Sequence, residues 1–409
     1  MISVDEAIRR VLEATPSPGT PERVSPSDAL GRVLAEQIVS REDAPPFARA
    51  TMDGWAVRVA DLEKIPAELL FSGETPAGSA PGAELPSGGA FKVMTGAPVP
   101  SGTECVVPIE KSEPASFPGF IRILEALRSG ANVAPAGSEV EKGEILFEPG
   151  RSIGAADVAL LSLLGHVDVP VWPKPRVAVL STGDELVPAG SPEPPPPGKI
   201  RNSNGPMLVA CLSSSGTRCR VRDLGIARDD ALALRVLLRE GLRDDVLLIS
   251  GGVSAGEHDL VADALRAEGV DVLFHKISMK PGKPMLFGRR QSTLVFGLPG
   301  NPLSSFVGFQ LFVVPALRAL SGAAKEPRAR VRVIATDDCP AGGEREEYRP
   351  ARLFLDGGEW RVKPIPWRGS AHLVNLCRAN ALHVMSIAAP AVKAGSPIEV
   401  IPLGGSPAA

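Results

Sequence analysis

Between about Lys174 and Gly322, short β-branched apolar runs alternate with helical patterns, the rhythm of βαβ units whose sheet carries helices on both faces. RVAVLST (176–182) predicts a buried strand, and DVLLISGG (245–252) predicts another, the plainest in the chain. CRVRDLG (219–225), VDVLFHKIS (270–278) and the short pair PMLFG and TLVFG supply the remaining strands. Helices are predicted near Ser203, after Asp229 or Asp230 through Leu232, Leu234, Val236 and Leu237, over about 257–267, and after Pro302. A Pro-rich surface excursion, SPEPPPPGK (191–199), interrupts the series.

The flanking chain has another texture. MISVDEAIRRVLEA reads as an amphipathic helix opened by a capping box of Ser3 and Glu6. A second helical pattern covers 154–165, and the two can join as one discontinuous unit, 1–44 with 140–172. Residues 45–139 are β-like and rich in turns, and form an expected inserted lobe. From about Glu326, RVRVIATDD, YRPARLFLD, EWRVKPIPW and IEVIPLG are short runs broken by Gly and Pro, so 326–409 predicts a small β-barrel or sandwich after an α/β domain at 173–325. The expected class is α/β multidomain, and 409 residues exceed what one core organises.

Composition removes several functions. Lys and Arg total 44 against 47 Asp and Glu, so no global basic field draws nucleic acid. The longest apolar stretch, Phe306 to Leu317, contains Gln310 and Pro315 and falls short of the roughly twenty residues that span a bilayer. Cys105, Cys211, Cys219, Cys339 and Cys377 lack C-x-x-C spacing, which predicts buried free thiols rather than disulfides or zinc. The N-terminus has no secretory pattern, so a cytoplasmic location is expected.

Three Gly-rich turns each follow a predicted strand: STGDE (181–185), SGGVSAGEHD (250–259) and GLPGNP (297–302). Loops at the carboxyl ends of strands border the ligand crevice of an open α/β sheet. Glycines also make ordinary tight turns, but three such loops at equivalent ends point to one site. Thr182, Gly183, Ser250, Gly251, Gly252, Ser254, Gly256, Pro299, Gly300, Asn301 and Pro302 are its candidate ligand-binding positions, with free amides for phosphate or another oxyanion. HKISMKPGKP (275–284) adds Lys276, Lys280 and Lys283 on an extended arm, against the alternative of a solvated charged turn. Asp53, Glu185, Asp229, Asp230 and Asp259 suggest a bridging Mg²⁺, although Asp229 and Asp230 equally suit a helix cap. His258 and His275 read as structural, and Ser254 lacks the surroundings of an acyl-transfer nucleophile.

With these motifs in order, FARATMDGWAV, VMTGAPVPSGTECVV, STGDEL, SGGVSAGEHD, FHKISMKPGKP and FGLPGNPLSS, the chain resembles the MoeA family of molybdopterin molybdenumtransferases, which includes the E domain of gephyrin. The resemblance implies a reaction in which adenylylated molybdopterin and molybdate give molybdenum cofactor and AMP with Mg²⁺. It implies a molybdopterin-binding α/β domain, a homodimer with its site between that domain and the partner's inserted lobe, and contact with the molybdopterin adenylyltransferase. It places catalytic roles on Asp53, Glu185, Asp259, Lys276 and Lys280 and binding on Thr95. Two positions depart from the family pattern: Glu139 stands where relatives often carry Asp, and Asn375 where they carry Ser. A receptor-clustering scaffold, a nucleotide pyrophosphatase with a similar α/β domain, and tungstate in place of molybdate are the competing readings.

Overall fold

The computed structural model describes residues 1–253, 260–366, 369 and 373–404. The chain divides into two units, one of Met1–Ala35, Pro149–Val158 and Asp168–Ala409, the other of Glu36–Glu148 and Ala159–Val167.

In the larger unit, helix α1 (Val4–Ala14) opens on Ser3, whose Oγ accepts from the Glu6 N–H at 3.2 Å. The expected reciprocal half of the capping box is replaced: the Glu6 carboxylate takes Arg9 and Arg10, each at 2.7 Å. Val4, Ala7, Ile8, Val11 and Leu12 are buried on one face, as 3.6-residue spacing dictates. That face enters the same core as the α/β sheet. Helix α2 (Ala155–Leu163) instead contributes Leu160, which packs with Ala44, Val140 and Leu164 in the smaller unit.

The α/β sheet is formed by β1 (Arg176–Thr182), β2 (Arg220–Ala227), β3 (Val246–Ser250), β4 (Asp271–Phe274), β5 (Leu286–Arg290) and β6 (Thr293–Leu298), in the order β2-β1-β3-β6-β5-β4. Strands β2, β1, β3 and β6 are parallel, and the hairpin β5–β6 adds an antiparallel edge. The register sets Ser181 beside Ser250 and Ser250 beside Leu298, so three carboxyl ends stand level. Helices cover both faces: α3 (Asn204–Ser214) and the helix Pro302–Leu320 on one, α4 (Ala231–Gly241) and α5 (Leu260–Ala267) on the other. Burying each large aliphatic side chain in these two layers contributes about 1.5–3 kcal/mol. In α4 the buried face is Leu234 and Leu238, while Leu232 and Val236 are exposed.

Two elements differ from the sequence pattern. The run 270–278 stops as a sheet strand at Phe274, and Met279–Lys280 then pairs in parallel with Glu346–Glu347 of the C-terminal sheet. The apolar helix extends over Pro302–Leu320, past the Phe306–Leu317 run, and by length and composition alone would suit a membrane; it is buried in the core instead. A widened π turn at Phe309–Val313 precedes Pro315, whose ring nitrogen has no hydrogen to give the helical ladder.

The C-terminal region closes as a five-stranded barrel: Glu346–Asp356, Glu359–Pro364, Val331–Ala335, Pro397–Pro402 and Ala381–Met385, the last pairing back with the first. The strand Ala381–Met385 is buried along its whole length, which removes the alternation that marks other strands. The smaller unit holds a six-stranded sheet, ordered Cys105–Pro108, Gly54–Val57, Gly89–Val93, Ala67–Thr75, Phe120–Ile123 and Ser112–Pro114, over a core with Trp55, Leu69 and Ile123. All five cysteines are free; Cys377 is exposed rather than buried.

Candidate active site

The level ends of β1, β3 and β6 border one crevice of about 80 Å³, lined by Thr182, Glu185, Ser250, Gly251, Gly300 and Pro302 among the expected positions. Gly251 (φ +94°) and Gly252 (φ +68°) turn the chain where a Cβ on either would run into Thr182. The Gly251 amide donates to the Leu298 carbonyl at 3.0 Å, tying the second loop to the third. Gly183 (φ +142°) does a comparable service: the Glu185 carboxylate folds back over it, into space that any side chain would fill. Pro299 is the buried residue of the third loop, and Asn301 leads into the helix that follows it.

Asn202, Ser203 and Asn204 also line the crevice and were not singled out by the sequence. Asn204 Nδ2 donates to Ser250 Oγ at 2.8 Å and to the Gly300 carbonyl at 2.7 Å, clipping two loops to the start of α3. Asn202 Oδ1 accepts from Gly205 N at 3.0 Å and lies 3.2 Å from Ser181 Oγ. The only hint in the sequence was the polar run NSN at the opening of an apolar helix, which is also what an ordinary cap looks like.

The acidic candidates separate. Asp230 caps α4, accepting from Ala233 N at 2.8 Å. Asp229 and Asp184 instead exchange bonds, each carboxylate accepting the other's backbone N–H, at 3.2 and 3.3 Å. Ser254, Gly256, His258 and Asp259 lie outside the described residues. Among those described, no three His, Cys, Asp or Glu side chains cluster as a metal cage. Glu185 fits the sparser arrangement by which Mg²⁺ is held, one or two carboxylates plus substrate phosphate oxygens and water.

The lysine arm serves another surface of the same unit. Lys280 pairs with the buried Glu347 at 3.1 Å and lines a cavity of about 590 Å³ with Arg349, Lys363 and His383. Burial, with Arg349 nearby, pushes the His383 imidazole down to about 4, so it is neutral at pH 7. Lys276 and Lys283 are exposed. In the smaller unit, Asp53 Oδ1 accepts from both Thr95 N at 2.7 Å and Thr95 Oγ1 at 2.8 Å, joining two candidates from separate motifs. These two bonds, the backbone one foremost, hold the Asp53 carboxyl below its ordinary range. Glu139 pairs with Arg49 at 2.6 Å, and Asn375 donates to the Pro366 carbonyl at 2.5 Å.

Comparison with known proteins decides the family. The model of the MoeA N-terminal region (domain I and II) matches residues 2–165, that described as "Probable molybdopterin binding domain" matches 178–319, and that of the MoeA C-terminal region (domain IV) matches 332–403. The chain is 32% identical over 406 residues to a molybdopterin molybdenumtransferase of Haemophilus influenzae, covering 98% of each. The chain belongs to the MoeA family. It is 34% identical to the Nostoc molybdopterin molybdenumtransferase over 386 residues, 92% of this chain and 87% of that one. A solved MoeA structure from Pyrococcus horikoshii matches with a TM-score of 0.81 at 31% identity, over 98% of this chain and 100% of the other. This MoeA-family chain is accordingly a transferase of molybdenum cofactor biosynthesis.

Proposed function

We propose that the chain inserts molybdate into adenylylated molybdopterin, releasing AMP and forming molybdenum cofactor in a Mg²⁺-dependent reaction. The observation that carries this reading is the convergence of Thr182–Glu185, Ser250–Gly251 and Gly300–Pro302 on one crevice at the sheet's carboxyl edge. Gly183 and Gly251 spend their own N–H groups on the Ala227 and Leu298 carbonyls, so what they supply is a turn without a side chain, which lets the ligand approach the backbone closely. Glu185 would hold Mg²⁺ there, supplying charge neutralisation on the phosphoanhydride as it breaks. The exposed Lys276 and Lys283 attract the anionic groups as point charges, while Lys280 is held by Glu347. Asp53, held below its ordinary range by Thr95, and Asp259 are the other acidic candidates that the family resemblance supports. Water adds across the phosphoanhydride as AMP leaves, and molybdate takes the two dithiolene sulfurs in place of an oxo group, which departs with the thiol protons as water.

The proposal includes a homodimer, contact with the molybdopterin adenylyltransferase, and a cytoplasmic location. The test is AMP release by purified protein given adenylylated molybdopterin, Mg²⁺ and either molybdate or tungstate. Oxyanion- and Mg²⁺-dependent AMP release, with product that activates a cofactor-free molybdoenzyme, is expected. Tight substrate binding without turnover would overturn the reading in favour of a scaffold.

A further inference from the structure

A second cavity lies at the amino edge of the α/β sheet, at the other end of the strands from the crevice. Its volume is about 380 Å³, inside the roughly 300–1,000 Å³ typical of small-molecule sites. Arg176 opens β1, Arg220 opens β2, Asp245 immediately precedes β3, and Leu320 ends the helix Pro302–Leu320; all four line this space. At about 3.3 Å per residue, the seven residues of β1 separate it from the crevice by roughly 20 Å, too far for one small ligand to fill both.

Charge in this cavity does not cancel. Its two acids are already matched: Asp245 holds Arg176 at 3.0 Å, and Glu22 is taken by Arg32. Lys174 and Arg220 line the same space, and neither side chain has a hydrogen bond or ion pair among the described residues. The rest of the wall is apolar and stiff, made by Pro16, Pro173 and the buried Pro175 and Leu320. Proline rings have no N–H to offer and lose no side-chain freedom on contact. Gly19 keeps the loop after α1 against this wall, since a Cβ there would stand 3.2 Å from the Pro173 ring. A metal ion would meet an excess of positive charge. Inorganic phosphate would match the cations and leave the proline wall uncovered, whereas an uncharged apolar molecule would do the reverse. A monocarboxylate would answer only one of two cations. We propose that this cavity binds a phosphate monoester with a compact apolar body, its phosphate on Lys174 and Arg220 and its body against Pro16 and Pro173. The inference stands apart from the proposed reaction, which uses the opposite edge of the sheet.

Calorimetric titration of the full-length protein at pH 8 tests this with three probes: 1-naphthyl phosphate, 1-naphthalenesulfonate and inorganic phosphate. The first two share a body and differ in charge, because a phosphate monoester carries close to two negative charges at that pH and a sulfonate one. One equivalent of 1-naphthyl phosphate is expected to bind, with the other two probes at least about tenfold weaker. Two variants approach the cavity independently. Lys174→Gln with Arg220→Gln removes the unmatched charges, and Ser17→Trp fills the space while leaving both cations in place. Ser17 is exposed and makes no side-chain hydrogen bond among the described residues, so both variants should melt as wild type does. Each should bind 1-naphthyl phosphate at least about tenfold more weakly at that equivalent. Undiminished binding in either variant would assign the ligand to another place, the crevice included, and overturn the inference. Wild type that binds no 1-naphthyl phosphate, or binds inorganic phosphate equally well, overturns it too.

Discussion

Glu347 holds Lys280 by an ion pair of 3.1 Å from a position almost sealed inside the C-terminal barrel. Arg349 Nε donates to the same carboxylate at 2.8 Å. Burial alone would raise the Glu347 carboxyl, but its bonds to Arg349 and Lys280 outweigh burial and leave it below its ordinary value of 4.5. Glu347→Ala should therefore cost about 2–3 kcal/mol, the usual loss for breaking a buried pair discounted for the partial exposure of Lys280. Urea denaturation measures it. A carboxyl lowered on folding adds stability that is present above pH 4.5 and lost as pH falls through the lowered value, so wild type and mutant curves should converge in acid.

Thr95→Val removes one of the two donors to Asp53 Oδ1 while keeping the backbone N–H. The Asp53 carboxyl should then titrate higher, moving toward its ordinary value of 3.8. Carboxyl-selective NMR titration checks this; an unchanged midpoint would mean the hydroxyl contributes nothing.

Gly183→Ala places a methyl where the Glu185 carboxylate lies and imposes a left-handed φ on alanine. Turnover is expected to fall roughly tenfold to a hundredfold through displacement of that carboxylate. Raising Mg²⁺ should recover part of the loss, which comparison of AMP release across Mg²⁺ concentrations would detect.

The neighbouring aspartates should respond differently. Asp230→Ala loses the α4 cap and about 1 kcal/mol of stability, with turnover of the folded protein retained. Asp229→Ala breaks the reciprocal contact with the Asp184 loop, and its effect should fall on turnover. Paired thermal melts and AMP-release assays separate the two.

The sequence was most informative where one physical signal dominated. RVAVLST matches a strand residue for residue at Arg176–Thr182, because a β-branched run buried on both faces has few other uses. Ala381–Met385 escaped notice for a related reason: burial of every position erased the period of two, and His383 disguised it as polar. The three Gly-rich loops were legible as neighbours because strand topology carries them to one edge. Asn204 was not, since its partners Ser250 and Gly300 lie 46 and 96 residues away. Nor could spacing reveal that Lys280 would spend its charge on Glu347, a pairing that depends on the arm leaving the sheet after Phe274.

The packing of α1 has a consequence for synthesis. Its apolar face packs on the later part of the helix Pro302–Leu320, some 300 residues further along the chain. At ribosomal rates of about 5–20 residues per second, the first helix made waits roughly 15–60 s for those partners. During that interval Val4, Ile8, Val11 and Leu12 lack the helix on which they pack. The Asn204 clip matures on the same schedule, since Gly300 must emerge before it closes. Truncated or stalled chains should therefore present a sticky N-terminal helix and an unassembled crevice together, a state suited to capture by chaperones that hold nascent apolar segments.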